Sequence, residues 1–347
     1  MPQSLDPSKN HLLIIRFSSL GDIVQGASVP RAFKQTFPES KVDWLVRSDF
    51  QNLLTSHPAL DRVISFDRKQ GFLGLLRFAW SLGQTPYTHI YDAHSNVRSF
   101  FVSAILRIRR PQARFVRRSK ERINRWLLFR FRIHRLPTPF RGAESFHRPL
   151  SKWGIQPAVP SGQQFFPSGN LSESVKSRLA LLQRPVVALA PSAAWEMKRW
   201  PISHWKKLIE LSPMSSFVLL GGPEDHFLEE IAAAAPERTL NLAGKTGFDE
   251  SASLLKLVDA CVANDTGMLH IADQMEVPAI ALIGPTAFGY PSHSTSQIAE
   301  ITLSCKPCSK DGRGRCINSL YQRCLVELTP EKISKMLQTM LLKGAKA

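Results

Sequence analysis

Short apolar runs alternate with stretches of helical period along most of this 347-residue chain. That alternation limits the fold more than any other feature. A short uninterrupted apolar run fits a strand covered on both faces, and ten-residue helices between such strands are the crossovers of a parallel sheet. In the first half, strands are predicted at 11–17, 42–46, 62–66 and 89–92, with helices between them and another beginning at 99. Residues 137–169 carry six prolines and read as irregular structure and linker. The pattern then restarts, with strands at 186–190, 217–220, 239–242, 260–263 and 279–283, intervening helices, and a final helix at 330–343. The expected architecture is α/β, with two successive doubly wound domains at 1–168 and 169–330 and a C-terminal helix at 331–347. Two such domains would face each other across a cleft, with ligands beyond the carboxyl ends of the strands.

Composition narrows the partners. Lys+Arg number 45 against 28 Asp+Glu, so the net charge is 45 − 28 = +17 with histidine neutral. A chain this basic seeks polyanions: nucleic acid, an anionic membrane or phosphorylated substrates. The charge is uneven, because residues 107–135 hold twelve Lys/Arg and one acid, Glu121. No apolar stretch approaches about 18 residues, which argues against a membrane-spanning helix. The apolar run at 12–15 is too short for a signal-peptide core, so a soluble cytoplasmic protein is expected. Five cysteines, an odd number, argue against a disulfide framework.

Three turns directly after predicted strands could carry chemistry. The first is Ser18-Ser19-Leu20-Gly21-Asp22, a tight turn into a helix whose Asp22 reads either as a helix cap or as a general base. The second spans 190–201, where Lys198 and Arg199 could neutralise a diphosphate or be a solvated basic pair. The third is Asn264-Asp265-Thr266-Gly267-Met268-Leu269-His270, whose N–H groups at a helix start could cradle a phosphate. Each has an ordinary structural explanation alone; together they suit a sugar–diphosphate ligand. No G-x-G-x-x-G dinucleotide fingerprint accompanies the first strand.

These residues resemble the ADP-heptose:lipopolysaccharide heptosyltransferases, glycosyltransferases of the GT-B fold, across almost the whole chain. The resemblance rests on R-F-S-S-L-G-D-I-V from Arg16, Y-D-A-H-S-N-V-R-S from Tyr91, K-R-W-P from Lys198, L-A-G-K-T from Leu242, the Asn264–His270 turn running on to Asp273, and V-P-A-I-A-L-I-G-P-T from Val277. It implies two Rossmann-like domains, acceptor-binding first and nucleotide-sugar-binding second. It implies inverting transfer of heptose from ADP-heptose to the inner core of lipopolysaccharide, with no cofactor for catalysis. Asp22 matches the catalytic base, its pKa expected to be raised by burial or neighbours. Lys198, Glu224, Asp265, Thr266, Gly267 and His270 match donor-binding positions, and Ser18, Ser19, Gly21, Asn96 and Arg98 acceptor-binding ones. Ala193 and Ala194 stand where many relatives have hydroxyl or Gly residues, and His94-Ser95 replaces a Gln-Gly pair. Those departures leave open another nucleotide sugar or acceptor within the same reaction class.

The resemblance implies a phosphorylated, lipid-linked saccharide acceptor and a peripheral location at the inner face of the inner membrane. The 107–135 segment, with interleaved aromatics, is then expected to contact an anionic membrane surface. A solvated face and a nucleic-acid site are the competing readings; nucleic acid is not expected as a partner. Cys305, Cys308, Cys316 and Cys324 fall within twenty residues and are candidates for a structural zinc, for reduced thiols or a disulfide, or for an iron–sulfur cluster. A non-enzymatic, basic nucleic-acid-binding protein is the alternative from a different class.

Overall fold

The computed structural model describes residues 10–344. Eleven strands occur among them: β1 (His11–Ile15), β2 (Lys41–Arg47), β3 (Arg62–Phe66), β4 (His89–Asp92), β5 (Arg114–Arg117), β6 (Val186–Ala190), β7 (Ser216–Leu219), β8 (Thr239–Asn241), β9 (Ala260–Asn264), β10 (Ala279–Ile283) and β11 (Ser296–Glu300). The helices of the first half are α1 (Leu20–Gly26), α2 (Ser28–Thr36), α3 (Gly71–Leu82), α4 (Val97–Arg109), α5 (Arg122–Phe131) and α6 (Gly142–His147). Those of the second are α7 (Glu173–Ala180), α8 (Ile202–Glu210), α9 (Phe227–Ala232), α10 (Phe248–Leu255), α11 (Gly267–Gln274), α12 (Arg323–Val326) and α13 (Pro330–Gly344). None is long and apolar enough to cross a membrane.

The chain forms two compact units. The first comprises the residues up to Arg122 with Ala143–Ser168, and the second Ile123–Gly142 with the residues from Gly169 on. The first holds a parallel sheet in the order β3-β2-β1-β4-β5. The second holds a parallel sheet in the order β11-β10-β9-β6-β7-β8. In both, the chain reverses direction across the sheet beside its first strand, between β1 and β4 and between β6 and β9. That switch point is where open α/β sheets leave a crevice for ligands.

Local chemistry explains the elements. β1 is apolar after His11 and its Leu and Ile side chains are fully buried, as a strand covered on both faces requires. α4 starts with a reciprocal cap: the Asn96 side chain accepts from Ser99 N–H at 2.9 Å, and the Ser99 hydroxyl oxygen accepts from Asn96 N–H at 3.0 Å. α8 buries Trp205, Leu208 and Ile209 and turns Lys206 and Lys207 outward. α13 buries Ile333, Leu337 and Met340 in the same core as α8, so it completes the second unit.

Three expectations differ from the structure. β5 and β11 do not appear in the sequence pattern, because β5 reads R-F-V-R and β11 S-Q-I-A-E; at sheet edges, charge and polarity mask the apolar signal. Residues 137–169 are not a linker, since they contain α6 and a 3-10 turn at Arg148–Trp153. The basic 107–135 segment is not one surface. Arg117 pairs with buried Asp92 at 2.7 Å, and Arg118 is itself buried. From Ile123 onward the segment packs on the second unit, with Leu128, Leu136 and Phe140 clustered against Phe288, and Arg132 donating to the Pro307 carbonyl at 2.6 Å. The domain boundary expected at 168/169 therefore omits an excursion at 123–142.

Buried histidines set a pH dependence in the first unit. Burial lowers the pKa values of His57, His89 and His147 to about 4. His57 is locked as the neutral tautomer: its Nε2 donates to the Ala27 carbonyl at 2.8 Å, and its Nδ1 accepts from Ala59 N–H at 3.2 Å. From an unfolded value near about 6.5 down to these lowered values, the denatured chain takes up protons that the folded chain refuses. Stability should therefore fall as pH drops through this window, each histidine adding a slope approaching about 1.4 kcal/mol per pH unit. Thermal melts from neutral to mildly acidic pH check this; a flat Tm across the window refutes it.

Candidate active site

In the first unit the switch point is built around one carboxylate. β1 delivers Arg16 and Phe17, the chain turns through Ser18 and Ser19, and α1 places Asp22 on its first turn. Asp22 pairs with Arg16 on one side and with Arg118 on the other, at 3.3 Å, and accepts from the Ser19 hydroxyl at 3.1 Å. Both arginines are buried, whereas a third of the Asp22 side chain remains exposed. Each guanidinium has further partners. Arg16 donates to the Ala93 carbonyl at 2.7 Å, and Arg118 donates to the Ser145 hydroxyl at 2.7 Å and lies 3.6 Å from the centre of the Phe146 ring.

This arrangement reverses the expected titration of Asp22. Burial alone would raise its pKa, but Arg16 and then Arg118 outweigh burial and hold the carboxyl well below the usual carboxylate range. Asp22 is thus an anion at every working pH. His94 follows β4 beside this group, 5.6 Å from Phe17 centre to centre. Burial, Arg16 and Lys120 lower its pKa to about 3, so it is neutral. Asp92 ties the turn after β4 to the end of β5. One oxygen accepts from the N–H groups of His94 and Ser95 at 3.1 and 2.8 Å, and the other takes Arg117.

The remaining acceptor candidates have mixed places. Asn96 spends its side-chain carbonyl capping α4, although the residue lines a cavity of about 360 Å³ with Ser95, Arg117, Arg118, Lys120 and Arg122. Arg98 lines a separate cavity of about 120 Å³ with Arg47, Arg68, Phe17, Phe66 and Phe72. Gly21 lies within the first turn of α1 and Ser18 is half-buried before it. Arg16, Arg118 and Lys120 were not singled out from the sequence. A charged residue closing the apolar run of β1 was the available signal for Arg16; Arg118 was hidden in a run of like charges.

The second unit builds its switch point from the turns after β6 and β9. Asn264 fastens them together, donating to the Pro191 carbonyl at 2.6 Å and accepting from Trp200 N–H at 3.1 Å. Buried Asp265 pairs with Lys198 at 2.9 Å, accepts from the Thr286 hydroxyl at 2.6 Å, and has His270 Nε2 at 3.9 Å. Burial opposes its ionisation, but Lys198, followed by His270, keeps its pKa below the usual value. Lys198, Asp265, Thr266, Gly267 and His270 are thus brought together. The buried hydroxyls of Thr266, at the start of α11, and Ser192, after β6, have no hydrogen-bond partner among the described residues, so both remain open to a ligand's oxygens. Glu224 is exposed and folds over Gly222; its neighbour Asp225 accepts from Gly222 N–H at 2.8 Å and lies 3.7 Å from Arg199. Asp273, within the quoted motif, proves to be a brace: it accepts from the N–H groups of Ser292 and His293, each at 2.9 Å.

The cysteine-bearing loop packs on the Lys198 turn. Gln322 donates to the Glu196 carbonyl at 2.7 Å, Arg313 lies 4.8 Å from the Trp195 ring centre, and Gly312, at φ +92°, abuts the Lys198 stem. All five cysteines are free thiols. Burial, with Cys305 and Cys316 nearby, raises the Cys308 thiol, and burial raises the Cys324 thiol to about 11. Among the described residues no group of three or more His, Cys, Asp or Glu is placed to hold a metal ion. The zinc expectation for Cys305, Cys308, Cys316 and Cys324 therefore finds no assembled cage here.

Gly289 is a steric requirement of the Asp265 cluster, since a Cβ there would lie 1.9 Å from Asp265 Oδ1. Gly289→Ala should force the carboxylate off Lys198 and cost about 1–3 kcal/mol. Chemical denaturation of the variant checks this, and unchanged stability would contradict it.

Residues 75–321 match the profile of glycosyltransferase family 9 (heptosyltransferase). The chain is 27% identical to lipooligosaccharide heptosyltransferase 2 of Haemophilus influenzae, over 96% of this chain and 100% of that one. It is 26% identical to lipopolysaccharide heptosyltransferase 2 of Escherichia coli, over 95% of this chain and 98% of that one. The solved structure of the E. coli ADP-heptose lipopolysaccharide heptosyltransferase II covers 97% of this chain and 100% of its own, with a TM-score of 0.69 at 21% identity. With two parallel doubly wound sheets of the GT-B class and a family match across most of its length, this chain belongs to glycosyltransferase family 9, the heptosyltransferases.

Proposed function

We propose that the protein transfers heptose from ADP-heptose to the inner core of a lipopolysaccharide precursor, with inversion at the anomeric carbon. It would act as a peripheral enzyme on the cytoplasmic side of the inner membrane. The observation that carries this reading is Asp22: an ionised, one-third exposed carboxylate at a sheet switch point, held by two buried arginines. The names of the relatives supply the donor and acceptor classes.

In the proposed step an acceptor hydroxyl oxygen bonds to the anomeric carbon from the face opposite the diphosphate. The bond from that carbon to the phosphate oxygen breaks, and its electron pair leaves with ADP. A single displacement of this kind inverts the centre. Asp22 orients the hydroxyl and takes its proton late, once bond formation has made that oxygen strongly acidic, because a carboxylate paired with two guanidiniums is a weak base. Lys198, shared with Asp265, and the N–H groups at the start of α11 receive the charge building on the diphosphate. The Thr266 and Ser192 hydroxyls supply the open hydrogen-bonding positions. These groups stabilise the leaving diphosphate without calling on a metal ion, so transfer should persist in EDTA.

The decisive experiment is transfer from ADP-heptose to purified truncated lipopolysaccharide. Asp22→Asn should lower kcat by about 10²–10⁴-fold, the range of a lost general base, while ADP-heptose binding to the second unit is retained. Because Asp22 also neutralises Arg16 and Arg118, the variant's Tm is measured beside its rate, and a substantial stability loss is expected too. Retained activity in Asp22→Asn rejects the base. Absence of transfer by the wild type, with transfer from another nucleotide sugar, moves the assignment to a different donor. Lys198→Ala should raise the donor KM and lower kcat together. An unchanged KM would remove Lys198 from the donor site.

The ionisation of Asp22 gives a second test. Its pKa lies below that of an ordinary carboxylate, so no acid limb assignable to Asp22 should appear in kcat/KM between about pH 5 and 8. Its contribution to folding is fully present above the unfolded value near about 3.9 and is lost only as pH falls further. A kinetic pKa near 6 that disappears in Asp22→Asn contradicts this picture.

A further inference from the structure

The outer faces of α3 and α4 carry large apolar side chains that no other element among the described residues covers. α3 exposes Leu73 (69%) and Trp80 (52%), and α4 exposes Val97 (71%) and Ile108 (72%). Phe72 of α3 meets Phe101 of α4 edge-on, with ring centres 5.1 Å apart, so the two apolar stripes join across the packed helix pair. Soluble surfaces rarely expose so many large apolar groups together without a partner.

The charge around this face selects the partner. Residues 68–120 hold eleven Lys/Arg and one acid, Asp92, which is fully buried and paired with Arg117. Arg77, Arg98 and Arg107 are exposed along the same two helices. Arg109 lies over the Trp80 ring at 4.6 Å and Arg117 over the Phe100 ring at 5.3 Å. An apolar face with guanidiniums resting on its aromatic rings is the composition of a surface that enters the headgroup boundary of an anionic bilayer. A second copy would bring two acid-free basic faces together, which like-charge repulsion opposes. Single-stranded nucleic acid needs open stacking platforms, but Arg109 already lies over Trp80 and Arg117 over Phe100, and Leu73, Val97 and Ile108 supply none.

We infer that the α3–α4 face is a docking surface for an anionic lipid bilayer, with its apolar side chains inserted at the headgroup level and its arginines on lipid phosphates. This places membrane contact on α3 and α4, and draws in only the first part of the 107–135 run. It goes beyond the proposed reaction and holds whichever sugar is transferred.

The test uses the full chain and vesicles that contain no saccharide acceptor, so its outcome is independent of the heptosyl reading. Wild type should co-sediment with phosphatidylcholine–phosphatidylglycerol vesicles, bind pure phosphatidylcholine weakly, and release as salt is raised. Combining Leu73→Ser, Trp80→Ser and Ile108→Ser should weaken vesicle binding by about tenfold or more. The variant's Tm and its transfer to a water-soluble truncated acceptor should stay at wild-type levels. Equal vesicle binding by the variant overturns the inference, as does wild-type indifference to phosphatidylglycerol. So does a loss confined to self-association or to oligonucleotide binding.

Discussion

Two buried guanidiniums, Arg16 and Arg118, share one carboxylate, and much of the first unit is arranged around that imbalance. Two cations removed from water beside each other are tolerable only with a paired anion and further acceptors. Asp22 supplies the anion, and the Ala93 carbonyl and Ser145 hydroxyl supply the acceptors. The supporting contacts reach outward from there. The Trp44 indole donates to the Arg16 carbonyl at 3.2 Å, and the Tyr91 hydroxyl donates to the Phe146 carbonyl at 2.8 Å, fixing the ring on which Arg118 lies. Strands β1, β2 and β4, the end of β5 and helix α6 thus all contribute to holding one side chain. The group stays net positive, which suits an anionic ligand better than a strongly basic carboxylate would.

The second unit solves a related problem with the opposite sign. Asp265 is a buried anion, and Lys198, His270 and Thr286 converge on it. The turn stays compact because Gly289 leaves room for the carboxylate and Asn264 cross-links the strands' ends. The cysteine-bearing loop gains a meaning here that its spacing did not suggest. Its Gly312 and Gln322 brace the Lys198 turn, so its role in this structure is positional. In both units the central charged side chain is fixed by neighbours that are themselves hydrogen-bonded, which holds its position closely.

The positive charge is divided among tasks. Some arginines are structural, as with Arg117 on Asp92 and Arg238 on the carbonyls of Ile209, Ser212 and Ser215. Some neutralise or line the anion-favouring cavities after β3 and β4. Others remain exposed beside apolar side chains on α3 and α4. Linear charge density could not separate these roles, because Arg117, Arg118 and Lys120 are sequence neighbours with an ion pair, a buried clamp and a cavity wall as their respective environments.

The sequence by itself determined the fold class, because continuous apolar runs and period-3.6 patterns are local and the apolar strands β1, β6, β9 and β10 announce themselves. It also located the turns at 18–22, 190–201 and 264–270, since a ligand crevice in a doubly wound sheet must follow its strands. Edge strands β5 and β11 were illegible, because a strand paired on one side need not be apolar. Only the tertiary structure decided that Asp22 is held ionised rather than raised, that the 107–135 run divides between two units, and that Asp273 braces a loop. Each of those outcomes depends on groups far apart in the chain: Arg118 meets Asp22 across 96 residues, and no local pattern records the distance between them.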